Sequence, residues 1–406
     1  MLEVRRITAE EVTQARKIST VVFNFRGDYT KEAAPDPLDH PPEWTWAAFE
    51  GGKMASSMVE IEYVMRFDGH DAKMSGIGGV GTLPEERRGG KVREIFLRLL
   101  PEAYERGVVF SNLTPFSHAF YRKFGYELCC ARNEIQVETR VFEKSRLRGE
   151  FTQFFPGGDT AVLQEVHAAY IADLNHGIRR DVWPDDRAWR SFTRDDPYQK
   201  GSFLYVWRNA AGEPRGYIKY QHEFVEGKNR MNVRELAFLD TEALYAIFSL
   251  VGGLSAQIDT LIWMAPTFLD PADFADVSWD VRQRIVPRDM TRIVNVRAAL
   301  ELMRRPEGEG VYVVEVSDPI IGANAGRWLV EYGPEGSRVT ATQKDADLRC
   351  DMPTLAQLVT GYRTLGNALR TSRAQLELCG GGARGSRVAT LHRVFTQRPQ
   401  HVTEYF

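Results

Sequence analysis

The chain has 406 residues, with 52 Lys and Arg against 55 Asp and Glu, for a formal net charge of −3. That length is too great for one hydrophobic core and implies two or three domains. The near-neutral balance gives no electrostatic reason to expect nucleic acid or an anionic membrane as partner, and no stretch approaches the roughly 20 apolar residues that span a bilayer. The opening MLEVRRITAEEV lacks the apolar core of a secretion signal. Cys129, Cys130, Cys350 and Cys379 show no metal-ligand spacing, so a reduced, cytoplasmic protein without a metal site is expected.

Residues 1–145 alternate strand-like and helix-like segments, the pattern of a mixed α/β or α+β domain. Thr8 and Glu11 form a capping-box pair ahead of the first helical segment. WTWAAFE and MASSMVEIEYVMRF read as neighbouring antiparallel strands and MSGIGGVGTL as a further apolar strand. VREIFLRLLPEAYERG is an amphipathic helix ending at Gly107. VVFSNL reads as a buried strand, and PFSHAFYRKFGYELC as a short helix with a returning strand.

Residues 146–290 repeat the style without the chemistry. SFLYVWRNAAGEPRGYIKYQHEF is a hairpin turning near Gly212, and NVRELAFLDTEALYAIFSLVGGLSAQIDTLIWMAP reads as strand, helix, strand. The same order occupies 74–113, but LAFLDTEALYAIF has neither glycines nor arginines where the first block has PEERRGGKVREIF. The second block therefore reads as a degenerate copy of the first, with an unrelated α/β domain as the alternative. In 291–406, VYVVEVSDPIIGANAGRWLVEYG and SRVTATQ are strands with turns at Pro319, Gly322 and Gly333. MPTLAQLVTGYRTLGNALR is an amphipathic helix carrying Leu355, Leu358, Val359 and Tyr362 at helical spacing.

The stretch RRGGKVREIFLRLL, directly after an apolar strand, combines three features that suit a phosphate cradle. Gly89 and Gly90 tolerate unusual dihedrals, a helix N-terminus presents unpaired N–H groups and a positive dipole end, and Arg87 and Arg88 add charge and forked donors. On this content alone, a polar strand-to-helix turn is the simpler reading. The partner feature about 30 residues later, FYRKFGYE, shifts the balance.

Arg87 and Gly90, placed after Pro84 at the end of the strand, resemble the acyl-CoA pyrophosphate loop of GNAT N-acetyltransferases, and FYRKFGYE at 120–127 resembles that superfamily's signature after its fifth strand. The whole layout resembles the enhanced intracellular survival (Eis) family. That resemblance implies tandem GNAT-like domains, the second degenerate, followed by a sterol-carrier-protein-like α/β domain, to which VSDPIIGANAGRWLVEY and LRCDMPTLAQLVTGYRTLG are similar. The implied limits are 1–145, 146–290 and 291–406. The chain departs from many GNAT loops in carrying Val92 where a further Gly or Ala is common.

The resemblance also implies an acetyl-CoA-dependent transfer to a primary amine, with an aminoglycoside, polyamine or lysine-like acceptor, in a homo-oligomer for which a hexamer is favoured. Val80, Gly81 and Thr82 would bind the pantetheine amides through their main chain. Arg88, Gly89, Gly90, Lys91, Val92 and Arg93 would hold the pyrophosphate, with Arg87 at the rim and Phe116 and Ser117 at the handover to the next helix. Tyr121 is the expected proton donor to the leaving thiolate, its reference pKa of about 10 lying modestly above that of a thiol. His118 lacks a sequence-near carboxylate to orient it and reads as a surface or cap residue. The carboxylate of Phe406 is the general base the family implies, and Phe25, Asp28, Trp44, Trp46 and Glu404 are the expected acidic and aromatic acceptor lining. Two other functions stay open at this point: an apolar-ligand carrier using the third domain, and an acyl-CoA-binding regulator without turnover.

Overall fold

The computed structural model describes residues 2–24, 40–142, 149–182, 186–275, 281–371, 376–379 and 385–404. The chain divides into two compact units. One comprises Met1–Cys130, Arg288–Arg398 and Glu404–Phe406, and the other Ala131–Pro287 with Pro399–Thr403.

The first unit opens with β1 (Leu2–Arg6) and α1 (Val12–Phe23), followed by β2 (Thr45–Glu50), β3 (Lys53–Phe67) and β4 (His70–Thr82). The capping pair forms ahead of α1: Thr8 N–H donates to Glu11 Oε2 at 2.9 Å. Arg5 donates two 2.8 Å bonds to the same carboxylate, which holds Glu11 well below the usual range, at about 2. Next come α2 (Lys91–Glu105), β5 (Phe110–Leu113), α3 (His118–Arg122) and β6 (Glu127–Leu128). Strands β1 to β4 form an antiparallel run, and β5 joins β4 in parallel. The strand Met290–Ile293 then inserts between β5 and β6, antiparallel to both. Helix α2 turns Ile95, Phe96, Leu99, Leu100 and Ala103 onto this sheet, all with no exposed surface, against Trp46, Met58, Ile77 and Tyr126. Each such large apolar side chain contributes roughly 1.5–3 kcal/mol on burial.

A five-stranded sheet follows in the same unit, built on the strands Gly310–Ser317, Gly326–Gly333, Gly336–Ala341 and Leu348–Asp351. The single helix expected over MPTLAQLVTGYRTLGNALR is two, Met352–Val359 and Leu365–Thr371. The break falls at Gly361, which has φ +71°, and a Cβ there would lie 2.7 Å from Arg398 Cβ, so the chain passes too close for a continuous helix.

The second unit carries its own seven-stranded sheet, running from Val281–Pro287 through Ala131–Glu138, Thr260–Pro266, Lys228–Phe238, Pro214–Val225 and Ser202–Arg208 to Glu150–Phe154. The sheets therefore exchange segments near each domain limit: Ala131–Glu138 lies in the second sheet, ahead of residue 145, and Met290–Ile293 lies in the first. All four cysteines are buried free thiols. Among the described residues, no helix is long and apolar enough to cross a membrane.

Candidate active site

The site is built where β4 and β5 part. Their parallel ladder pairs Met74–Ile77 with Phe110–Leu113, and β4 then runs on alone on that side to Thr82. Its other edge stays on β3, with an irregularity: Val59 faces Gly78 and Ser57 faces Gly81, so Gly79 and Val80 together stand opposite Met58. Gly79 takes φ +60°, which a bulge of this kind demands and an L side chain resists. The register recovers at Gly81 and Thr82, where Ser56 Oγ donates to Gly81 O at 2.7 Å and bonds Thr82 Oγ1 at 2.9 Å. Gly81 also lets α1 approach, since a Cβ there would lie 3.1 Å from Ile18 Cγ2.

After β4, a short turn over Pro84–Glu86 leads to an extended Arg87. Arg88 adopts φ +68°, a conformation that costs an L residue roughly 1–2 kcal/mol. Gly90, with φ +76°, is the N-cap of α2. The opening turn of α2 lacks helical acceptors for its N–H groups and carries the positive end of the helix dipole. Strain of this kind, held by its surroundings, concentrates at ligand sites.

Around this loop lies a cavity of about 980 Å³, at the upper end of the roughly 300–1,000 Å³ usual for small-molecule and cofactor sites. It gathers the expected cofactor residues Val80, Gly81, Thr82, Arg87, Arg88, Gly89, Gly90, Lys91, Val92, Arg93 and Phe116. Its charged lining is dominated by cations. Arg87 and Arg88 are exposed, and Arg87 Nε makes only a 3.5 Å bond to Thr82 O. Lys91, one of the residues expected at the pyrophosphate, pairs its ammonium with Glu50 at 2.7 Å and Glu86 at 3.0 Å. Those bonds raise its pKa. Ser117 is also committed locally, its Oγ accepting from Phe120 N–H at 3.3 Å as the N-cap of α3. His118 is the first residue of that helix.

Tyr121 stands one aromatic layer behind the lining. It is 2% exposed, with ring centroids 5.2 Å from Phe116 and 5.1 Å from Phe120, both cavity residues. Burial pushes its phenol above the ordinary value, so it keeps its proton at neutral pH. The neighbouring Tyr126, just ahead of β6, is fully buried and bonded to Ser111 Oγ at 2.7 Å, a core residue.

The acceptor lining fares differently. Trp46 is 1% exposed, donates Nε1–H to the buried Glu60 carboxylate at 3.0 Å and lies under the Arg6 guanidinium, so it is a core residue and cannot line an open acceptor site. Trp44 sits half-buried in the turn Pro42–Trp44, its ring 5.5 Å from that of His40 and away from the cavity lining. Glu404 is tied through its main chain: Arg288 Nη2 donates to its carbonyl at 2.8 Å, while Arg288 Nη1 donates to Thr114 Oγ1 at 2.5 Å. That places the chain at Glu404 beside the end of β5, where the gap opens. Phe25, Asp28 and Phe406 lie outside the described residues.

Sequence reasoning missed Leu97, Phe120, Lys123 and Phe124 on the helical side, Pro319 and Ile320 from the five-stranded-sheet domain, and also Val22 and Phe23 of α1 and Glu86. The first four lie inside the quoted motifs, Leu97 in RRGGKVREIFLRLL and the others in FYRKFGYE, where a side-chain type alone does not say which face meets the cavity. Nothing in the local pattern points to Pro319 and Ile320.

The second unit repeats the parting of strands and closes it. Its parallel ladder ends at Val233–Trp263, and the strand continues to Phe238. Phe238 and Tyr170 pack together within that unit, with ring centroids 5.5 Å apart. The following helix, Thr241–Gly252, is capped by the Asp240 carboxylate, which accepts from Ala243 N–H at 2.8 Å and pairs with Arg215. An acid thus occupies the helix start where the first unit offers cations.

Comparison with known proteins finds three domain families along the chain. The acetyltransferase (GNAT) domain family matches residues 3–129, a second acetyltransferase (GNAT) domain family matches 182–293, and the sterol carrier protein domain family matches 296–403. An uncharacterized N-acetyltransferase of Streptomyces avermitilis is 25% identical over 379 residues, covering 89% of each chain. Among solved structures, a GCN5-related N-acetyltransferase from Anabaena variabilis superposes with a TM-score of 0.88 at 20% identity, covering 100% of both chains. Eis1 from Mycobacterium abscessus does so with 0.79 at 19% identity, again over 100% of both. At these identities the two structures speak to the fold.

Proposed function

For a chain that belongs to the GNAT N-acetyltransferases, with two GNAT domains and a sterol-carrier-protein-like domain in the Eis-like order, we propose an acetyl-CoA-dependent transfer to a primary amine in the cavity between β4 and β5. The observation that carries this reading is the match of cavity to donor. A polyanionic pyrophosphate suits the exposed Arg87 and Arg88 at the start of α2, and an extended amide-bearing arm suits the parted strand edge at Val80–Thr82.

In the reaction, the acceptor ammonium first releases one proton to solvent, and the neutral amine nitrogen attacks the thioester carbonyl, whose π bond opens to give the C–N bond and a tetrahedral oxyanion. A main-chain N–H of the Val80–Thr82 stretch is the donor for that oxygen. The C–S bond then breaks, and the departing sulfur takes its proton from Tyr121, the acid carried over from the family resemblance, which lies against Phe116 and Phe120 of the lining and is kept protonated by burial. The proton lost by the amine goes to the carboxylate of Phe406, the base carried over from the family resemblance. The anchoring of Glu404 beside the end of β5 supports that placement. The acceptor is a cationic amine such as an aminoglycoside, a polyamine or a lysine side chain, and a homohexameric assembly belongs to the same reading.

The carrier alternative is disfavoured by the interior of the third domain. There Tyr312, Leu355, Val359, Leu391 and Phe395 pack with no exposed surface, in space an apolar ligand would need. Calorimetry with acetyl-CoA tests the donor assignment. Arg87→Ala with Arg88→Ala removes two exposed, charge-assisted phosphate contacts, each discounted to about 1 kcal/mol by solvent, for a loss of about 30-fold in affinity. Unchanged affinity in the folded double variant would contradict the assignment.

A further inference from the structure

We infer that the sterol-carrier-like domain completes the donor site: Pro319 and Ile320 form the apolar wall for the adenosine end of the acyl-CoA, and Lys123 receives its 3′-phosphate. This rests on the reading of the cavity as an acyl-CoA site.

The argument begins with what the lining leaves over. Once the strand edge at Val80–Thr82 is given to the pantetheine arm and the start of α2 to the pyrophosphate, the donor still has a flat purine ring and a phosphate dianion to place. Apart from Val22, Phe23, Phe116 and the Glu86 carboxylate already paired with Lys91, the remaining lining of the cavity is Leu97, Phe120, Lys123, Phe124, Pro319 and Ile320. That set is five apolar side chains and one cation, the composition such a fragment requires. Lys123 is exposed and has no ion-pair partner among the described residues, unlike Lys91 with its two carboxylates.

The wall is also held rigidly. Pro319 and Ile320 belong to the turn after the strand Gly310–Ser317, and Asp318 at the start of that turn is buried. The Asp318 carboxylate accepts from Ile320 N–H at 3.0 Å and Ile321 N–H at 3.1 Å, fixing the turn from within. Arg292, fully buried, bridges Asp318 at 2.7 Å to the Phe124 carbonyl at 2.5 Å. One guanidinium therefore locks the Pro319–Ile320 turn to the end of the segment bearing Lys123. Ile320 packs against the core formed by α2 and the sheet, while Pro319 stays exposed to the cavity. A wall so anchored is preorganised for a planar ligand face.

The test uses the full-length chain with three donors: acetyl-CoA, its 3′-dephospho form, and acetyl-pantetheine, which lacks the nucleotide. Affinities are read by calorimetry, and KM and kcat by thiol release. Ile320→Ser and Pro319→Ala should each raise Kd and KM for acetyl-CoA, by roughly tenfold and threefold respectively, with kcat and the acetyl-pantetheine constants unchanged. Lys123→Gln should abolish the preference for acetyl-CoA over the dephospho donor. Pro319→Ala and Lys123→Gln alter exposed side chains, so the test stands if Ile320→Ser fails to fold. Acetyl-CoA affinities within about twofold of wild type in all folded variants, or equal losses for acetyl-pantetheine, would overturn the inference alone. A wild-type chain that binds no acetyl-CoA would overturn the parent reading instead.

Discussion

Removing the Asp318 carboxylate should cost the first unit a large share of its stability. Asp318 and Arg292 both have side chains with no exposed surface, and Arg292 Nη2 donates to the two carboxylate oxygens at 2.8 and 2.7 Å. The same carboxylate accepts from Asn324 Nδ2 at 3.0 Å and from two main-chain N–H groups of its turn. In Asp318→Ala the Arg292 charge stays buried with the neutral Phe124 carbonyl still accepting from it, and three further donors lose an acceptor. Leaving one member of a buried pair uncompensated costs about 3–5 kcal/mol, against a usual domain stability of roughly 5–15 kcal/mol. Urea unfolding, followed by tryptophan fluorescence at several pH values, measures it. Burial alone would raise the Asp318 pKa, but the Arg292 charge and the hydrogen bonds outweigh that and hold it below the usual range. The stabilisation is therefore complete above roughly pH 4 and fades as pH falls through the lower folded-state value, so the variant should lose most at neutral pH and least in acid. Replacing the pair together, Arg292→Met with Asp318→Leu, should recover most of the loss. A loss under about 1 kcal/mol for Asp318→Ala at pH 7 would refute the reasoning.

Gly125→Ala should destabilise by more than about 2 kcal/mol in thermal or urea unfolding, because Gly125 has φ +82° and a Cβ there would fall 2.0 Å from Arg292 Nη1; a stability equal to wild type would remove this account of the glycine. Appending residues after Phe406, or deleting it, should lower kcat while leaving acetyl-CoA affinity intact, and wild-type turnover in both would deny the terminus a catalytic role. Light scattering across the micromolar range should report a homohexamer, and a monomer throughout would contradict that assembly.

The first domain was legible because its signals are local. Apolar periodicity marks α2, glycines and arginines crowd the loop before it, and FYRKFGYE carries α3 and its turn within a few residues. The acceptor side was less legible because composition does not say which way a side chain faces. Trp46 looked like an aromatic for binding, yet its strand turns it inward to meet Glu60 and Arg6. The ion pair of Lys91 with Glu50, distant in sequence, was equally out of reach. The Gly125 of the motif has its reason in Arg292, and the cavity wall at Pro319–Ile320 has its reason in Asp318; both are contacts between segments far apart in the chain. The break at Gly361 likewise depends on Arg398 passing nearby. Such long-range pairings leave no periodic trace in the sequence.

The measurement that bears most directly on the central claim is amine-dependent thiol release from acetyl-CoA by the full-length chain, over a panel including a polyamine, a lysine peptide and an aminoglycoside, for wild type and Tyr121→Phe. The account predicts turnover with at least one cationic amine, and a fall in kcat of roughly 10²–10⁴ in Tyr121→Phe with acetyl-CoA affinity preserved. No amine-dependent release from any acceptor, or wild-type turnover in the folded Tyr121→Phe chain, would contradict it.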